Sequence, residues 1–278
     1  MTSANGPPTE NAIAPINDAQ IAYDVTGRGP ALLLLHAGIC DRRMWDAQIP
    51  AFAPHFTVIR YDARGFGDTR LPSTPFSPSA DAIALLDHLG VERAHLVGVS
   101  MGSQTAIETA VAGPDRVSAL VAVAARTGAP VSPALRAGWD HVDALVEAGD
   151  IPAAVEYELR MWVDGPDRAP DAVNPQMRER VREMNAALFA LDVIAGEEIP
   201  LDPPAADRLA DITAPTLILY GDKDVHDVRA AAAPLAAAIP HARLAVIPDA
   251  AHLPQMERPE VFNEIVLTFL LGLSTPRG

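Results

Sequence analysis

Apolar and polar positions fall into short segments of two kinds, extended runs and helical stripes, separated by glycine and proline breaks. Residues 12–16 and 20–25 are extended pieces flanking Asn17-Asp18, the signature of a hairpin. Residues 31–35 form a continuous aliphatic run closed by His36-Ala37-Gly38, as expected of a strand buried on both faces. A further strand over 56–61 ends at Asp62 and the turn Arg64-Gly65-Phe66-Gly67. Ser79 is the expected cap of a helix through Leu89, with Ile83, Leu86 and Leu89 on one face and Gly90 as its stop. Then follow a strand over 94–99, a helix from about 101 to 112 halted by Gly113-Pro114, and a buried strand over 118–124. The pattern closes with a strand at 216–220, an alanine-rich helix to Ile239, a strand at 243–247 and an amphipathic helix near 259–271.

Strands alternating with helices predict an α/β fold, a mostly parallel sheet covered by helices on both faces. The alternation breaks between Arg126 and about Asp207, where the chain is helical in character but interrupted by nine prolines from Pro130 to Pro204. The expected organisation is a core domain of residues 1–126 and 208–278, with residues 127–207 inserted as a helical cap.

Composition narrows the chemistry. A chain of 278 residues with 49% hydrophobic and 21% charged positions is too apolar for disorder and long enough for one large core. Its formal charge of −15, without a Lys/Arg cluster, makes it a poor binder of nucleic acid or of anionic membranes. The longest apolar runs, 31–35 and 119–125, fall far short of the ~20 residues that span a bilayer. Residues 1–11 have no basic start or apolar core, so they do not read as a signal peptide. The single cysteine, Cys40, excludes an internal disulfide and a structural zinc site. No His/Asp/Glu grouping has metal spacing, and Gly27-Arg28-Gly29-Pro30 lacks the rest of a dinucleotide loop. The expectation is a soluble, cytoplasmic protein acting on a small molecule without metal or cofactor, as a monomer or homodimer.

Gly98-Val99-Ser100-Met101-Gly102 lies at a predicted strand-to-helix junction. A serine on such a sharp turn is pushed above the sheet edge, and small residues two positions either side let strand and helix approach. The turn also aims the first helical N–H groups at developing negative charge. A serine hydroxyl needs a base, and the base needs an orienting acid. His252 follows the 243–247 strand at the sheet edge where α/β sites form, and His226, after the 216–220 strand, is its rival. Asp224 in Gly221-Asp222-Lys223-Asp224 is the expected acid, with Asp222 as the alternative.

With these residues in place the sequence resembles the α/β-hydrolase superfamily. The matching pieces are His36-Ala37-Gly38, residues 61–67, Gly98 to Gly102, Gly221 to Asp224, and Ala251-His252-Leu253-Pro254 with Glu257, Pro259 and Phe262. Met44-Trp45-Asp46, Gln48 and residues 60–65 resemble, within it, 3-oxoadipate enol-lactonase-like esterases and lactonases. The resemblance implies a serine hydrolase of carboxylic esters or lactones, working through an acyl-enzyme with Ser100, Asp224 and His252 as triad. It places the oxyanion hole at the backbone N–H groups of Gly38 and Met101. The chain departs from the family with Ala37 and Ser103 where glycines are usual. The insertion resembles the family's cap, where Trp139, Trp162 and Phe189 either line an apolar pocket or pack the cap helices onto one another, and Arg126, at its entrance, is the candidate positive group should the substrate be anionic. Alternatives on the same fold are a C–C bond hydrolase of a diketone, a non-hydrolytic lyase or cyclase, and a ligand receptor.

Overall fold

Asn17 and Asp18 both take positive φ, 42° and 67°, as a two-residue hairpin turn requires. They fold β1 (Thr9–Ile16) back on β2 (Ala19–Gly27) in antiparallel register. The computed structural model describes residues 9–70, 74–191 and 196–273, so the stretch before Thr9, where no signal peptide is expected, lies outside the described residues. The remaining strands are β3 (Ala31–Leu35), β4 (Thr57–Tyr61), β5 (Ala94–Val99), β6 (Val117–Val123), β7 (Thr216–Gly221) and β8 (Arg243–Ile247). They form one eight-stranded sheet in the order β1-β2-β4-β3-β5-β6-β7-β8, parallel from β4 onward.

Both faces of that sheet are covered, which is why its central strands read as unbroken aliphatic runs. Leu32 and Leu34 enter one hydrophobic cluster, with Phe52, Val97, Val99 and Phe262, while Leu33 and Leu35 enter the other, with Leu85, Leu96, Ile107 and Ile218. Each such leucine contributes about 1.5–3 kcal/mol by leaving water. The helices are α1 (Ile49–Phe52), α2 (Pro78–His88), α3 (Met101–Ala112), α4 (Pro133–Glu147), α5 (Ile151–Glu158), α6 (Pro175–Phe189), α7 (His226–Ala238), α8 (Pro254–Glu257) and α9 (Pro259–Gly272).

One cap expectation is corrected. Ser77, not Ser79, caps α2: its backbone is extended at φ −120° and its hydroxyl accepts from Ala80 N–H. Pro78 fixes the cause, because proline is pre-set for the first helical position and draws the boundary one step back. Ser79 then falls inside the first turn, its hydroxyl 3.1 Å from that of Ser77. The short turn Arg42–Trp45 and α1 were not foreseen, being too brief to show a helical period.

Between β6 and β7 the chain carries α4, α5, a π turn (Leu159–Asp164) and α6. Leu135, Val155, Leu159, Val163, Val181 and Met184 of these elements share a cluster with the sheet core. Asp164, fully buried, accepts from Arg178 Nε at 2.8 Å and Arg160 Nη1 at 2.9 Å, which ties the π turn to α6. No helix among the described residues is long and apolar enough to cross a membrane.

Candidate active site

The C-terminal ends of five adjacent parallel strands, β3, β5, β6, β7 and β8, gather the candidate residues. Gly38 follows β3, Ser100 follows β5, Arg126 follows β6, Asp224 follows β7 and His252 follows β8. This is the edge at which open α/β sheets build their sites.

The turn at Ser100 is fixed by close packing. A Cβ built on Gly98 would lie 2.1 Å from Gly102 O, and one on Gly102 would lie 2.3 Å from Leu35 O, so only glycine fits at either place. Held between these contacts, Ser100 adopts φ 54° and ψ −114°, a conformation that L-residues rarely enter. Its N–H donates to Val123 O at 2.8 Å, and its side chain makes no capping bond to α3. Ser103, which stands where relatives of this type often have glycine, has a local use: its hydroxyl donates to Ser100 O at 2.6 Å.

Asp224 is buried, and both its carboxylate oxygens meet His252 Nδ1, at 2.9 and 3.0 Å. A carboxylate only accepts, so the proton of the neutral ring sits on Nδ1 and Nε2 keeps a lone pair for a neighbouring acid hydrogen. Asp224 also accepts Val225 N–H at 2.7 Å, which fixes its rotamer. Asp222 instead takes Asp249 N–H at 2.7 Å and Lys223 Nζ at 3.1 Å, holding two loops together. His226 opens α7 rather than meeting the acid. Ser100 Oγ has no hydrogen bond to His252 among the described residues; such contacts often tighten only with substrate in place.

His252 is clamped from the inserted helices. The Trp162 ring lies 4.4 Å from it, centroid to centroid, tilted by 39°, and His252 N–H donates to Trp162 O at 3.2 Å. A few residues on, Arg168 donates to the carbonyls of Val163 (3.0 Å) and Asp164 (2.6 Å) and pairs with Glu257 at 2.8 Å. The other oxygen of Glu257 accepts Ala251 N–H, next to His252, at 2.6 Å. Burial pushes the Glu257 carboxyl above its usual value, opposed by the Ala251 N–H and the Arg168 charge. Arg168 carried no signal in the sequence, since its segment has no regular period.

The loop after β3 is braced by His36. Its Nε2 accepts Ala63 N–H at 2.9 Å, so Nδ1 carries the proton and donates to Ala37 O at 2.9 Å. Burial lowers the pKa of this ring, against the charges of Asp62 and Asp41 and the Ala37 carbonyl. Ala37 N–H turns to Met44 Sδ at 3.2 Å, and Gly38 comes next to Met101, whose Cβ and Sδ would each lie 3.7 Å from a Cβ at Gly38. The two N–H groups expected at the oxyanion position thus belong to neighbouring residues. Cys40 is a buried thiol whose pKa is pushed well up by burial, in keeping with a packing role. Arg64, in the glycine-broken turn, meets Asp81 (2.6 and 2.9 Å), Asp18 (3.0 Å) and Asn17 O (2.6 Å), which makes it a strut.

The pocket candidates separate. Trp162 is at the site, Trp139 is half-buried with Arg126 and Arg136 over its ring, at 5.5 and 5.4 Å, and Phe189 packs at the end of α6 on the hydrophobic cluster. Among the described residues no group of three or more His, Cys, Asp or Glu side chains is arranged to hold a metal.

Comparison with known proteins fits this geometry. Residues 30–259 match the profile of the family described as alpha/beta hydrolase fold. The chain is 30% identical over 263 residues to a pimeloyl-[acyl-carrier protein] methyl ester esterase of Aeromonas hydrophila, covering 90% of this chain and 99% of that one. It is 29% identical to 3-oxoadipate enol-lactonase 2 of Acinetobacter baylyi, covering 90% and 92% of the two chains. The crystal structure of the enol-lactonase from Burkholderia xenovorans superposes with a TM-score of 0.76 at 26% identity, over 93% of this chain and 99% of that one. Sheet order, the glycine-flanked turn at Ser100 and sequence agree, and the chain belongs to the α/β-hydrolase superfamily as a hydrolytic enzyme.

Proposed function

We propose that the protein cleaves a carboxylic ester or lactone through an acyl-enzyme on Ser100, with His252 as base and Asp224 as its orienting acid. The observation that carries this reading is the buried Asp224–His252 pair at adjacent strand ends, on the same sheet edge as a serine at positive φ. Relatives named esterase and lactonase support the substrate class.

His252 Nε2 takes the Ser100 proton as Oγ attacks the carbonyl carbon. The oxygen becomes an oxyanion facing the Gly38 and Met101 N–H groups, where the first turn of α3 adds its positive end. Collapse expels the alkoxide, which receives the proton from His252. A water molecule then repeats the sequence on the acyl-enzyme: His252 takes its proton, hydroxide oxygen adds to the carbonyl, and Ser100 leaves with the proton returned. Asp224 holds the ring in the productive tautomer and stabilises its charged form. Loss of the base costs about 10⁴ or more in kcat, and loss of one oxyanion donor about 10²–10³.

The cap role of residues 127–207 belongs to the same reading: the inserted helices roof the strand ends and present Trp162 to the site. The test is Ser100→Ala on p-nitrophenyl acetate, together with labelling by a fluorophosphonate. Turnover and labelling both vanish on this mechanism; turnover that survives the substitution overturns it. A parallel panel of esters, lactones and vinylogous diketones separates ester from C–C bond cleavage.

A further inference from the structure

Four arginines near the sheet and the inserted helices are paired with carboxylates, whereas Arg229, with an unmet buried Nε, reaches only Asp222 O among the described residues, at 3.4 Å on the flank of α7. Arg42 meets Asp62, Asp68 and Asp24; Arg60 meets Asp24 and Asp46; Arg64 meets Asp81 and Asp18; Arg178 meets Asp164 and Glu156. Arg126 differs. Its Nη1 is buried and has no hydrogen-bond partner among the described residues, and none of them forms an ion pair with it. The two carboxylates whose charge reaches it are already committed, Asp227 to Ser132 N–H and Oγ at 2.8 Å each, and Asp224 to His252. Leaving a buried guanidinium N–H unmet is costly, so such a group in a site points to a ligand that completes it.

Its place in the fold says where. Ser100 N–H bonds to Val123 O, and Arg126 follows three residues later, between the strand ends that carry Ser100 and Asp224. Neighbouring strands lie about 4.8 Å apart and residues rise about 3.3 Å each, so the Arg126 backbone is on the order of 10 Å from Ser100. The side chain stacks on Trp139 of α4, a face that orients a guanidinium without using its N–H groups. We infer that Arg126 is the specificity residue of this site and receives a carboxylate carried by the substrate, a short distance along the molecule from the scissile ester or lactone. This rests on the proposed hydrolysis at Ser100 and deepens it. Partial burial lowers the proton affinity of Arg126, against the charges of Asp227 and Asp224. With the whole chain at −15, an anionic substrate needs such a local cation to enter.

The experiment compares kcat/KM for matched anionic and neutral esters. One pair puts the carboxylate on the acyl side, mono-p-nitrophenyl glutarate against p-nitrophenyl valerate. The other puts it on the leaving group, 4-carboxyphenyl acetate against 4-methylphenyl acetate. Arg126→Gln lowers the anionic-to-neutral ratio about 10–100-fold on one of the pairs, mainly through KM, and Arg126→Lys keeps more of the ratio. A ratio unchanged within about 3-fold on both pairs overturns the inference. Wild-type protein gives a second readout independent of folding in the variants: glutarate slows fluorophosphonate labelling of Ser100, whereas glutaramide does not. Equal effects of the two, or no effect of either, also overturn it. Neutral-ester turnover that depends on Ser100 while the ratio stays flat removes the role of Arg126 alone; turnover persisting in Ser100→Ala removes the hydrolytic reading itself.

Discussion

Replacing Ser100 by glycine should stabilise the protein as it abolishes turnover. At φ 54° and ψ −114° the serine Cβ crowds its own backbone, and residues in such regions cost on the order of 1–3 kcal/mol. The right comparison is Ser100→Ala, which also lacks the hydroxyl but keeps the Cβ and with it the strain. Neither variant loses a helix cap, because the Ser100 side chain makes no capping bond. Glycine relieves the strain but gives the unfolded chain extra freedom, roughly 0.5–1 kcal/mol against the fold. The balance favours glycine over alanine by about 0.5–2 kcal/mol. At an unfolding entropy of about 2.1 cal/mol/K per residue, a chain of 278 residues converts that into a Tm higher by about 1–3 °C. Calorimetric melts of the two inactive variants measure it directly. A glycine variant that melts with or below the alanine variant would refute the claim that Gly98 and Gly102 hold the serine up under strain.

Asp224→Asn presents a donor to His252 Nδ1 in place of an acceptor, moves the ring proton to Nε2 and should lower kcat about 10⁴-fold on p-nitrophenyl acetate; a loss under tenfold contradicts the assigned tautomer. Burial depresses the pKa of folded His36, so it takes up a proton less readily than the unfolded ring, which protonates near 6.5. The unfolded state therefore binds the extra proton, so stability is full above that pH and falls below it by up to about 1.4 kcal/mol per pH unit. Urea midpoints from pH 7.5 to 5 should show this slope and His36→Gln should flatten it; equal slopes sink the account. Glu257→Gln and Arg168→Met each remove one end of the strap between the inserted helices and the His252 loop and should each cost about 1–3 kcal/mol. The double variant should lose no more than the worse single one, and additive losses would show that the two do not act together.

What could be read from the sequence was what packing and backbone geometry dictate locally. Buried strands announce themselves as aliphatic runs because the sheet is covered twice, and the turn at Ser100 shows in its glycines because a Cβ at 98 or 102 would strike backbone oxygen. The meeting of Asp224 with His252 was legible from their places after consecutive strands. The inserted helices were not legible in detail, since their contacts are long-range. Nothing near Arg168 marks it as the partner of Glu257, and nothing in the order of residues says that Trp162 rather than Trp139 lies on the His252 ring. The Ser79 cap failed because Pro78 competes for the first helical position and wins by steric preference.

The stacking of Trp162 on His252 also gives the protein an optical readout of its own. A histidine ring in contact with an indole changes its emission, and the two ring centroids are only 4.4 Å apart. The other two tryptophans differ in surroundings, Trp45 being sealed near Phe262 and Trp139 having two guanidinium groups over its ring. A change at the His252 ring, by substitution or by a bound substrate analogue, should therefore be seen chiefly in the emission of Trp162. Its emission would report what lies against the His252 face of the indole, with no label attached.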